Sequence, residues 1–168
     1  MKNQRSKFAK VLIANRGEIA LRAVKTAKKL GLQSVAIYST ADKSSQHVLQ
    51  ADEAICVGPA PSLKSYLAKN AIIHAALSLS CDAIYPGYGF LSENAEFVDL
   101  CEANDIKFIG PAADSIREMG DKSTAKETME RVGVPTVPGS KGLLVDVKEA
   151  FTLADKIGFP GIIKATAG

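Results

Sequence analysis

Two lysines occupy positions where an ammonium group could neutralise a phosphate. Lys122 follows Met119-Gly120-Asp121 at the predicted start of a helix, where the helix dipole opposes a positive charge. Lys164 ends the apolar run 161–163, so its charge must either reach solvent or meet an anion. A single lysine is usually solvated, but two ammonium groups that converge on a polyphosphate would account for both positions. Because a glycine turn begins after Lys164, the pair indicates binding of a nucleoside triphosphate.

The segment 86–94 reads Pro-Gly-Tyr-Gly-Phe-Leu-Ser-Glu-Asn and follows a predicted strand. Gly87 and Gly89 open the backbone, and Ser92 is a good N-terminal cap for the helix that follows. A packed strand-to-helix turn is one interpretation of this pattern. The alternative is a loop that closes over a ligand with Tyr88 exposed, since ligands of open α/β sheets lie at the carboxyl ends of strands.

A further glycine follows the first predicted strand, in Asn15-Arg16-Gly17-Glu18. A glycine between a strand and a helix lets a phosphate approach the helix N-terminus. The dinucleotide fingerprint requires three glycines as GxGxxG, and only Gly17 is present here. A nicotinamide-dependent dehydrogenase would also need an acidic residue at the end of the second strand, whereas Asp42 lies further into the loop. A turn that needs only a small residue is therefore the favoured interpretation.

The elements that would position these residues alternate between short apolar strands and amphipathic helices. Strands are predicted at 10–14, 34–38, 54–57, 83–85, 107–109 and, unfinished, 161–163; helices are predicted at 18–30, 66–79, 93–103, 122–132 and 147–157, with a linker at 133–140. Repeated β-α-β units imply an α/β fold with a parallel sheet and helices on both faces. A ligand is expected beside the segments that follow the strand ends, 15–17, 39–42 and 86–92.

The composition excludes several classes of protein. Of the 168 residues, 46% are hydrophobic and 23% are charged, which is typical of a globular protein. A net charge of +3 is too small to indicate nucleic-acid binding, and the apolar runs are too short to cross a membrane. The basic N-terminal residues lack the apolar core of a secretory signal. Three separated cysteines argue for a reducing compartment and against a zinc site. We predict that the cysteines pack in the core and that His47 and His74 lie at the surface or cap helices.

Several long motifs, in one order along the chain, resemble the biotin carboxylase family. The segment 10–20 is similar to the opening of these enzymes, and 86–94 is similar to their loop PGYGFLSEN. The resemblance covers nearly the whole chain from about Ala9, because it continues through Phe108-Ile109-Gly110-Pro111, Met119-Gly120-Asp121-Lys122, Gly133-Val134-Pro135 and Ile162-Ile163-Lys164-Ala165. The segment 59–67 looks most like the separate biotin carboxylase subunit of acetyl-CoA carboxylase. Pyruvate and propionyl-CoA carboxylases share the other motifs.

The resemblance implies a Rossmann-like N-terminal domain that binds no dinucleotide, followed by a helical linker and an ATP-grasp domain. In the family, ATP and bicarbonate give carboxyphosphate, which carboxylates biotin on a carrier protein. This is the first half-reaction of acetyl-CoA carboxylase, in fatty acid biosynthesis. Lys122 and Lys164 match the two lysines that contact ATP, and Tyr88 and Gly89 match the loop near the biotin and bicarbonate pocket. The resemblance further implies two Mg²⁺ ions, a homodimer, a cytoplasmic location, and a biotin carboxyl carrier protein and a carboxyltransferase as partners.

The predicted domains are a Rossmann-like domain over 1–120, a helix and linker over 121–140, and a truncated start of an ATP-grasp domain over 141–168. In the family, the magnesium ligands, the bicarbonate-binding residues and the general base would lie beyond Gly168, so we expect the chain alone not to carboxylate biotin. Two residues depart from the family pattern: Tyr85 stands where histidine is common, and Gly161 stands where a branched apolar residue is common. The alternatives are the same domain of pyruvate or propionyl-CoA carboxylase, and a non-catalytic assembly module.

Overall fold

A computed structural model of the chain describes residues 8–120, 122–140, 142 and 144–163, with the backbone alone for 122–124. The strands are β1 (Lys10–Ile13), β2 (Gln33–Ser39), β3 (Glu53–Gly58), β4 (Ala83–Tyr85) and β5 (Lys107–Phe108). The helices are α1 (Gly17–Lys29), α2 (Gln46–Gln50), α3 (Lys69–Ser78), α4 (Ala95–Glu102), α5 (Ala113–Gly120), α6 (Lys122–Arg131) and α7 (Val147–Ile157). The chain divides into two compact units, Met1–Ile116 and Arg117–Gly168.

The first unit contains a five-stranded sheet in the order β3-β2-β1-β4-β5, and every pairing is parallel. β1 lies at the centre, where Val11, Leu12 and Ile13 are buried, as expected for an unbroken apolar run covered on both faces. Ile13 pairs with Ala36 of β2 and with Tyr85 of β4, so the carboxyl ends of the three strands lie side by side. The predicted α/β fold with a parallel sheet is confirmed.

Apolar side chains pack on both faces of the sheet, because successive residues of a strand point in opposite directions. Leu12 belongs to the larger cluster, which includes residues of α3 and α4. Its neighbour Ile13 belongs to a second cluster with Ala20 and Val24 of α1. The predicted apolar face of α1 is therefore correct in its centre, but Leu30 is 65% exposed because it lies beyond the last turn of the helix.

β3 forms an edge of the sheet, and its side chains alternate between more and less exposed positions. Cys56 lies on this edge and is exposed, so the prediction that all three cysteines pack in the core is wrong for Cys56. Cys81 and Cys101 are buried, as predicted. Successive side chains of a strand point to opposite faces of the sheet, and Cys56 shares the exposed face of β3 with Ala54.

α4 begins at Ala95, two residues later than predicted, and its N-cap is Asn94 rather than Ser92. The Asn94 side chain accepts a hydrogen bond from the Phe97 backbone N–H at 2.9 Å. The Ser92 N–H instead donates to the Gly89 carbonyl oxygen at 2.9 Å. The residues before Asn94 are thus used for a turn that follows the loop, and this turn delays the start of the helix.

In the second unit, Asp146 caps α7: its carboxylate accepts a hydrogen bond from the Glu149 N–H at 2.8 Å. The predicted linker at 133–140 contains neither helix nor strand. The predicted strand at 161–163 is not formed in the described residues, where Ile162 and Ile163 are 82% and 80% exposed. A strand requires a neighbour for its backbone groups, and none of the described strands pairs with it. Among the described residues, no helix is both long and apolar enough to cross a membrane.

Candidate functional site

The structure brings together the three segments that follow β1, β2 and β4, as the parallel topology predicts. The central contact is made by Asn15, which lies directly beyond β1 and is 1% exposed. Its side-chain Nδ2 donates to the Pro86 carbonyl oxygen at 2.7 Å and to the Tyr88 carbonyl oxygen at 2.9 Å. Its Oδ1 accepts from the Arg16 backbone N–H at 2.8 Å. Asn15 therefore uses all of its amide hydrogens to hold the loop after β4.

That loop has an unusual backbone, because three of its residues have a positive φ. The values are 69° at Gly87, 70° at Gly89 and 44° at Phe90. Residues with a Cβ rarely adopt this left-handed region of the backbone, whereas glycine adopts it readily. A Cβ at Gly87 would also lie 2.7 Å from Ile19 Cγ2 and 3.0 Å from Asn15 Nδ2, whereas a Cβ at Gly89 would meet nothing within 4 Å. Gly87 is thus packed against the start of α1, and Gly89 is open.

Tyr88 lies between these glycines and is 63% exposed, as in the interpretation of the segment as a ligand-binding loop. Its hydroxyl donates to Glu18 Oε1 at 2.7 Å, across the start of α1. This hydrogen bond raises the pKa of Tyr88, since the acceptor carboxylate stabilises the protonated phenol. The loop consequently presents an aromatic ring in a defined position and an uncovered backbone at Gly89.

A polar cluster, which we call the Asp42 cluster, lies beside the loop and consists of Arg16, Ser39, Asp42 and Tyr66. Ser39, Asp42 and Tyr66 are buried, whereas the Arg16 side chain is 46% exposed. The Asp42 carboxylate accepts three side-chain hydrogen bonds, from the Tyr66 hydroxyl at 2.6 Å, Ser39 Oγ at 3.0 Å and Arg16 at 2.9 Å. The Tyr66 hydroxyl also accepts from the Ser39 backbone N–H at 2.9 Å. Among the described residues, the buried side-chain oxygens of Ser39, Asp42 and Tyr66 all have hydrogen-bond partners, as buried polar groups require.

The charges of the Asp42 cluster follow from these contacts. Burial alone would raise the pKa of Asp42, but the hydrogen bonds from Tyr66 and Ser39 and the positive charge of Arg16 together hold it below its ordinary value. Burial and the hydrogen bond to Asp42 raise the pKa of Tyr66 to about 12. Asp42 is therefore ionised and Tyr66 is protonated at neutral pH.

The Asp42 cluster reaches the loop through aromatic contacts. The Tyr66 ring stacks on the Phe90 ring with 5.2 Å between centroids and 21° between planes. The Arg16 guanidinium carbon lies 5.6 Å from the centroid of Tyr66, within the range of a cation–π contact. The loop is thus bounded by Asn15 at its first residues and by Tyr66 at Phe90.

His47 lies near this cluster and is 1% exposed, so the prediction that it lies at the surface is wrong. Its Nε2 is 3.3 Å from the Ile37 carbonyl oxygen, and its Nδ1 is buried without a hydrogen-bond partner in the described residues. Burial lowers the pKa of His47 most strongly; the Ile37 carbonyl and Asp42 oppose this, and Arg16 adds to the lowering. His74 is exposed on α3, as predicted.

The two lysines of the predicted phosphate site are not both described. Lys122 begins α6 by its backbone, and its side chain and the whole of Lys164 lie outside the described residues. Their convergence on a polyphosphate stays a prediction. Within the described ranges, no three His, Cys, Asp or Glu side chains are grouped to hold a metal ion.

Sequence reasoning missed Asn15, Asp42 and Tyr66 as parts of one site. The sequence presents Asp42 only as an acidic residue some way after the second strand, and Tyr66 falls in the predicted helix 66–79, which in fact begins at Lys69. Tyr66 is fully buried, and its hydroxyl bonds to Ser39 at the end of β2 and to Asp42. Asp42 lies 24 residues before Tyr66 in the sequence. The one available signal was that residues 15 and 42 follow the ends of neighbouring strands.

Comparisons with known proteins agree with this architecture. The family model "Biotin carboxylase, N-terminal domain" matches residues 7–116, and the model "Carbamoyl-phosphate synthase L chain, ATP binding domain" matches residues 121–168. The chloroplastic biotin carboxylase of Arabidopsis thaliana is 58% identical over 95% of this chain and 30% of its own length. Biotin carboxylase 1 of Bacillus subtilis is 55% identical over 95% of this chain and 35% of its own length.

Two solved structures are similar throughout most of the chain. The biotin carboxylase from Campylobacter jejuni, solved as a β-γ-ATP complex, has a TM-score of 0.90 and 51% identity over 96% of this chain and 36% of that one. The biotin carboxylase domain dimer of Hydrogenobacter thermophilus 2-oxoglutarate carboxylase, solved with MgADP, ADP and bicarbonate, has a TM-score of 0.88 and 52% identity over 97% and 36%.

The chain spans about a third of the length of the curated relatives it matches. For relatives that carry the name biotin carboxylase, the covered share of their length is between 30% and 36%. The family model covers well over half of the chain, including β1 to β5 and the loop that Asn15 holds. On this evidence the chain belongs to the biotin carboxylase family.

Proposed function

We propose that this chain is the N-terminal part of a biotin carboxylase, which uses ATP and bicarbonate to carboxylate biotin on a carrier protein. The observation that carries the proposal is the loop after β4, where an exposed Tyr88 and an open Gly89 are held by Asn15. The bicarbonate and nucleotide in the Hydrogenobacter thermophilus domain support both substrates.

The roles of the residues follow from the chemistry. Phosphoryl transfer from ATP to bicarbonate develops negative charge, which fixed positive charges stabilise. We assign that role to Lys122 and Lys164. The resulting carboxyphosphate then carboxylates a ring nitrogen of biotin, in a pocket that Tyr88 and Gly89 border. Among the described residues, no three His, Cys, Asp or Glu side chains are grouped to hold Mg²⁺. We propose that this part of the protein does not carboxylate biotin alone.

We further propose that the acceptor reaction is that of acetyl-CoA carboxylase, in fatty acid biosynthesis. Identities of 54–58% to curated biotin carboxylases support this, against 51% to the methylcrotonoyl-CoA carboxylase subunit alpha of Glycine max. The biotin carboxylase subunit of a pyruvate carboxylase is 52% identical, so the same domain of pyruvate carboxylase is the competing assignment. Carboxylation of acetyl-CoA rather than pyruvate or propionyl-CoA by the protein with its co-purified transferase would separate them.

The proposed partners are a biotin carboxyl carrier protein, a carboxyltransferase and a second copy of this chain, in the cytoplasm. The dimer is supported by the Hydrogenobacter thermophilus domain, which was solved as a dimer. Light scattering on the purified protein tests this point, and a monomer at micromolar concentration would contradict it.

The test of the whole proposal is bicarbonate-dependent ATP hydrolysis, with and without free biotin, on the longest chain that the gene encodes. We expect biotin to raise the rate, and we expect Lys122→Ala and Lys164→Ala each to lower kcat/KM for ATP by about 100-fold or more, as for lost stabilisation of developing charge. Lys126→Ala, on the same helix as Lys122, is the matched control. ATP hydrolysis without any effect of biotin would indicate another ligase, and no turnover would favour an assembly module.

A further inference from the structure

The loop conformation must be imposed on residues 86–90 from outside. Gly87, Gly89 and Phe90 all have a positive φ, and for a residue with a side chain this costs about 1–2 kcal/mol. A loop with such a backbone does not keep one shape by itself, because glycines give it many alternatives of similar energy. Its observed conformation therefore depends on the groups that contact it.

The contact with Asn15 determines the orientation of two peptide groups. One nitrogen donates to the carbonyls of Pro86 and Tyr88, which flank Gly87 on either side. The Tyr88 carbonyl shares a rigid plane with the N–H of Gly89, so fixing the first also fixes the second. A side chain that fixes both peptide groups must carry two N–H donors on one nitrogen and an oxygen that accepts from the Arg16 N–H, and it must be as short as asparagine. Aspartate offers the acceptor but lacks both donors.

The contact with Glu18 determines the position of the Tyr88 ring. The carboxylate accepts the phenolic hydrogen at 2.7 Å, although both side chains are exposed. Glu18 follows Asn15 by three residues, in the first turn of α1, so one short segment holds both the backbone and the side chain of Tyr88. The Gly87 backbone closes the gap between them, since only a residue without a Cβ fits against Ile19 and Asn15.

We infer that Asn15 and Glu18 are positioning residues for the biotin and bicarbonate pocket, acting through Tyr88 and Gly89. Neither needs to touch a substrate: Asn15 orients the Tyr88–Gly89 peptide, and Glu18 restrains the ring. This inference rests on the proposed function, because it assigns these residues to the pocket that the loop borders.

The test compares Asn15→Asp and Glu18→Ala in the full-length enzyme. Asn15→Asp keeps the size of the side chain but places an oxygen against two carbonyl oxygens, so the loop must move. We expect KM for biotin to rise about 10-fold or more, since displacement of a positioning group by about 1 Å can cost up to 100-fold. KM for ATP in the same assay should change by less than about twofold, because the contacts with ATP are assigned to Lys122 and Lys164, which do not belong to this loop. Glu18→Ala should raise KM for biotin in the same direction.

The matched control is Asn104→Asp, because the Asn104 amide also donates to a backbone carbonyl, that of Leu100, at 2.8 Å. It should lower thermal stability without changing KM for biotin. Because Asn15 is buried and its variant could fail to fold, Glu18→Ala, at an exposed residue, keeps the inference testable. Unchanged KM for biotin in a folded Asn15 variant and in Glu18→Ala, with biotin stimulating the wild type, overturns the inference. A wild type that biotin does not stimulate overturns the proposed function instead.

Discussion

Gly87 and Gly89 provide a matched pair of substitutions that isolates the packing of the loop. Both residues have nearly the same φ, 69° and 70°, so alanine meets the same backbone cost at either position. They differ in space: a Cβ at Gly87 lies 2.7 Å from Ile19 Cγ2 and 3.0 Å from Asn15 Nδ2, whereas a Cβ at Gly89 has no neighbour within 4 Å.

The expected magnitudes follow from these two terms. The left-handed backbone costs alanine about 1–2 kcal/mol, of which the reduced freedom of the unfolded chain returns about 0.4–1 kcal/mol. Gly89→Ala should therefore lower the free energy of unfolding by about 1 kcal/mol. Gly87→Ala adds an overpacking cost of about 1–3 kcal/mol, because the Ile19 methyl belongs to a helix and the Asn15 amide is held by two hydrogen bonds. We expect about 2–4 kcal/mol in total.

Urea unfolding followed by far-UV circular dichroism measures both variants on the same purified protein. The double variant Gly87→Ala/Ile19→Ala completes a cycle, and relief of the clash should appear as a favourable coupling of about 1 kcal/mol. Equal losses of stability for Gly87→Ala and Gly89→Ala would refute the reasoning, because the close approach of the loop to α1 would then contribute nothing.

Three other variants or reagents test the remaining features. Tyr66→Phe keeps the stacked ring but removes a buried hydroxyl that makes two hydrogen bonds. The free energy of unfolding measured in urea should fall by about 2–4 kcal/mol, whereas Tyr38→Phe, at a half-buried residue, should lower it by less than about 0.5 kcal/mol. In the folded protein the pKa of His47 lies below its ordinary value of 6.5, so the unfolded chain binds the proton first and the free energy of unfolding falls as the pH drops below about 6.5. His47→Gln should flatten this pH dependence between pH 7 and 5, and His74→Gln, at an exposed residue, is the control. An alkylating reagent should label the exposed Cys56 alone in the native protein, since burial raises the pKa of the other two thiols to about 11 and about 12, and mass spectrometry that finds two or three labels would contradict the buried positions.

The sheet could be predicted from sequence because its signals are local. Val11, Leu12 and Ile13 form an unbroken apolar run, and the helical period from residue 18 places Ala20 and Val24 on one face. Both features are decided within a dozen residues. The carboxyl-end rule then indicated that the segments after β1, β2 and β4 would meet, and they do.

The polar contacts within the site could not be predicted, because each depends on residues far apart in sequence. In the sequence, Asp42 cannot be told from an ordinary loop carboxylate. Its partners Arg16 and Tyr66 reach it only in the folded chain, where they bond to its carboxylate. Tyr66 has the apolar spacing of a helix residue, but the hydrogen bonds of its hydroxyl outweigh that local preference. His47 gave no sign of burial, since its neighbours in sequence are mostly polar.

The central position of β1 has a consequence for synthesis of the protein. β1 is made first, but its partner on one side, β4, pairs Tyr85 with Ile13 from 72 residues further along the chain. At about 5–20 residues per second, β1 waits roughly 4–15 s on the ribosome with that side unpaired. During this time a buried, apolar strand has an open edge that another nascent chain could join. The emergence of β4 therefore covers the open edge of β1 and ends this exposure, and β5 then pairs with the far side of β4.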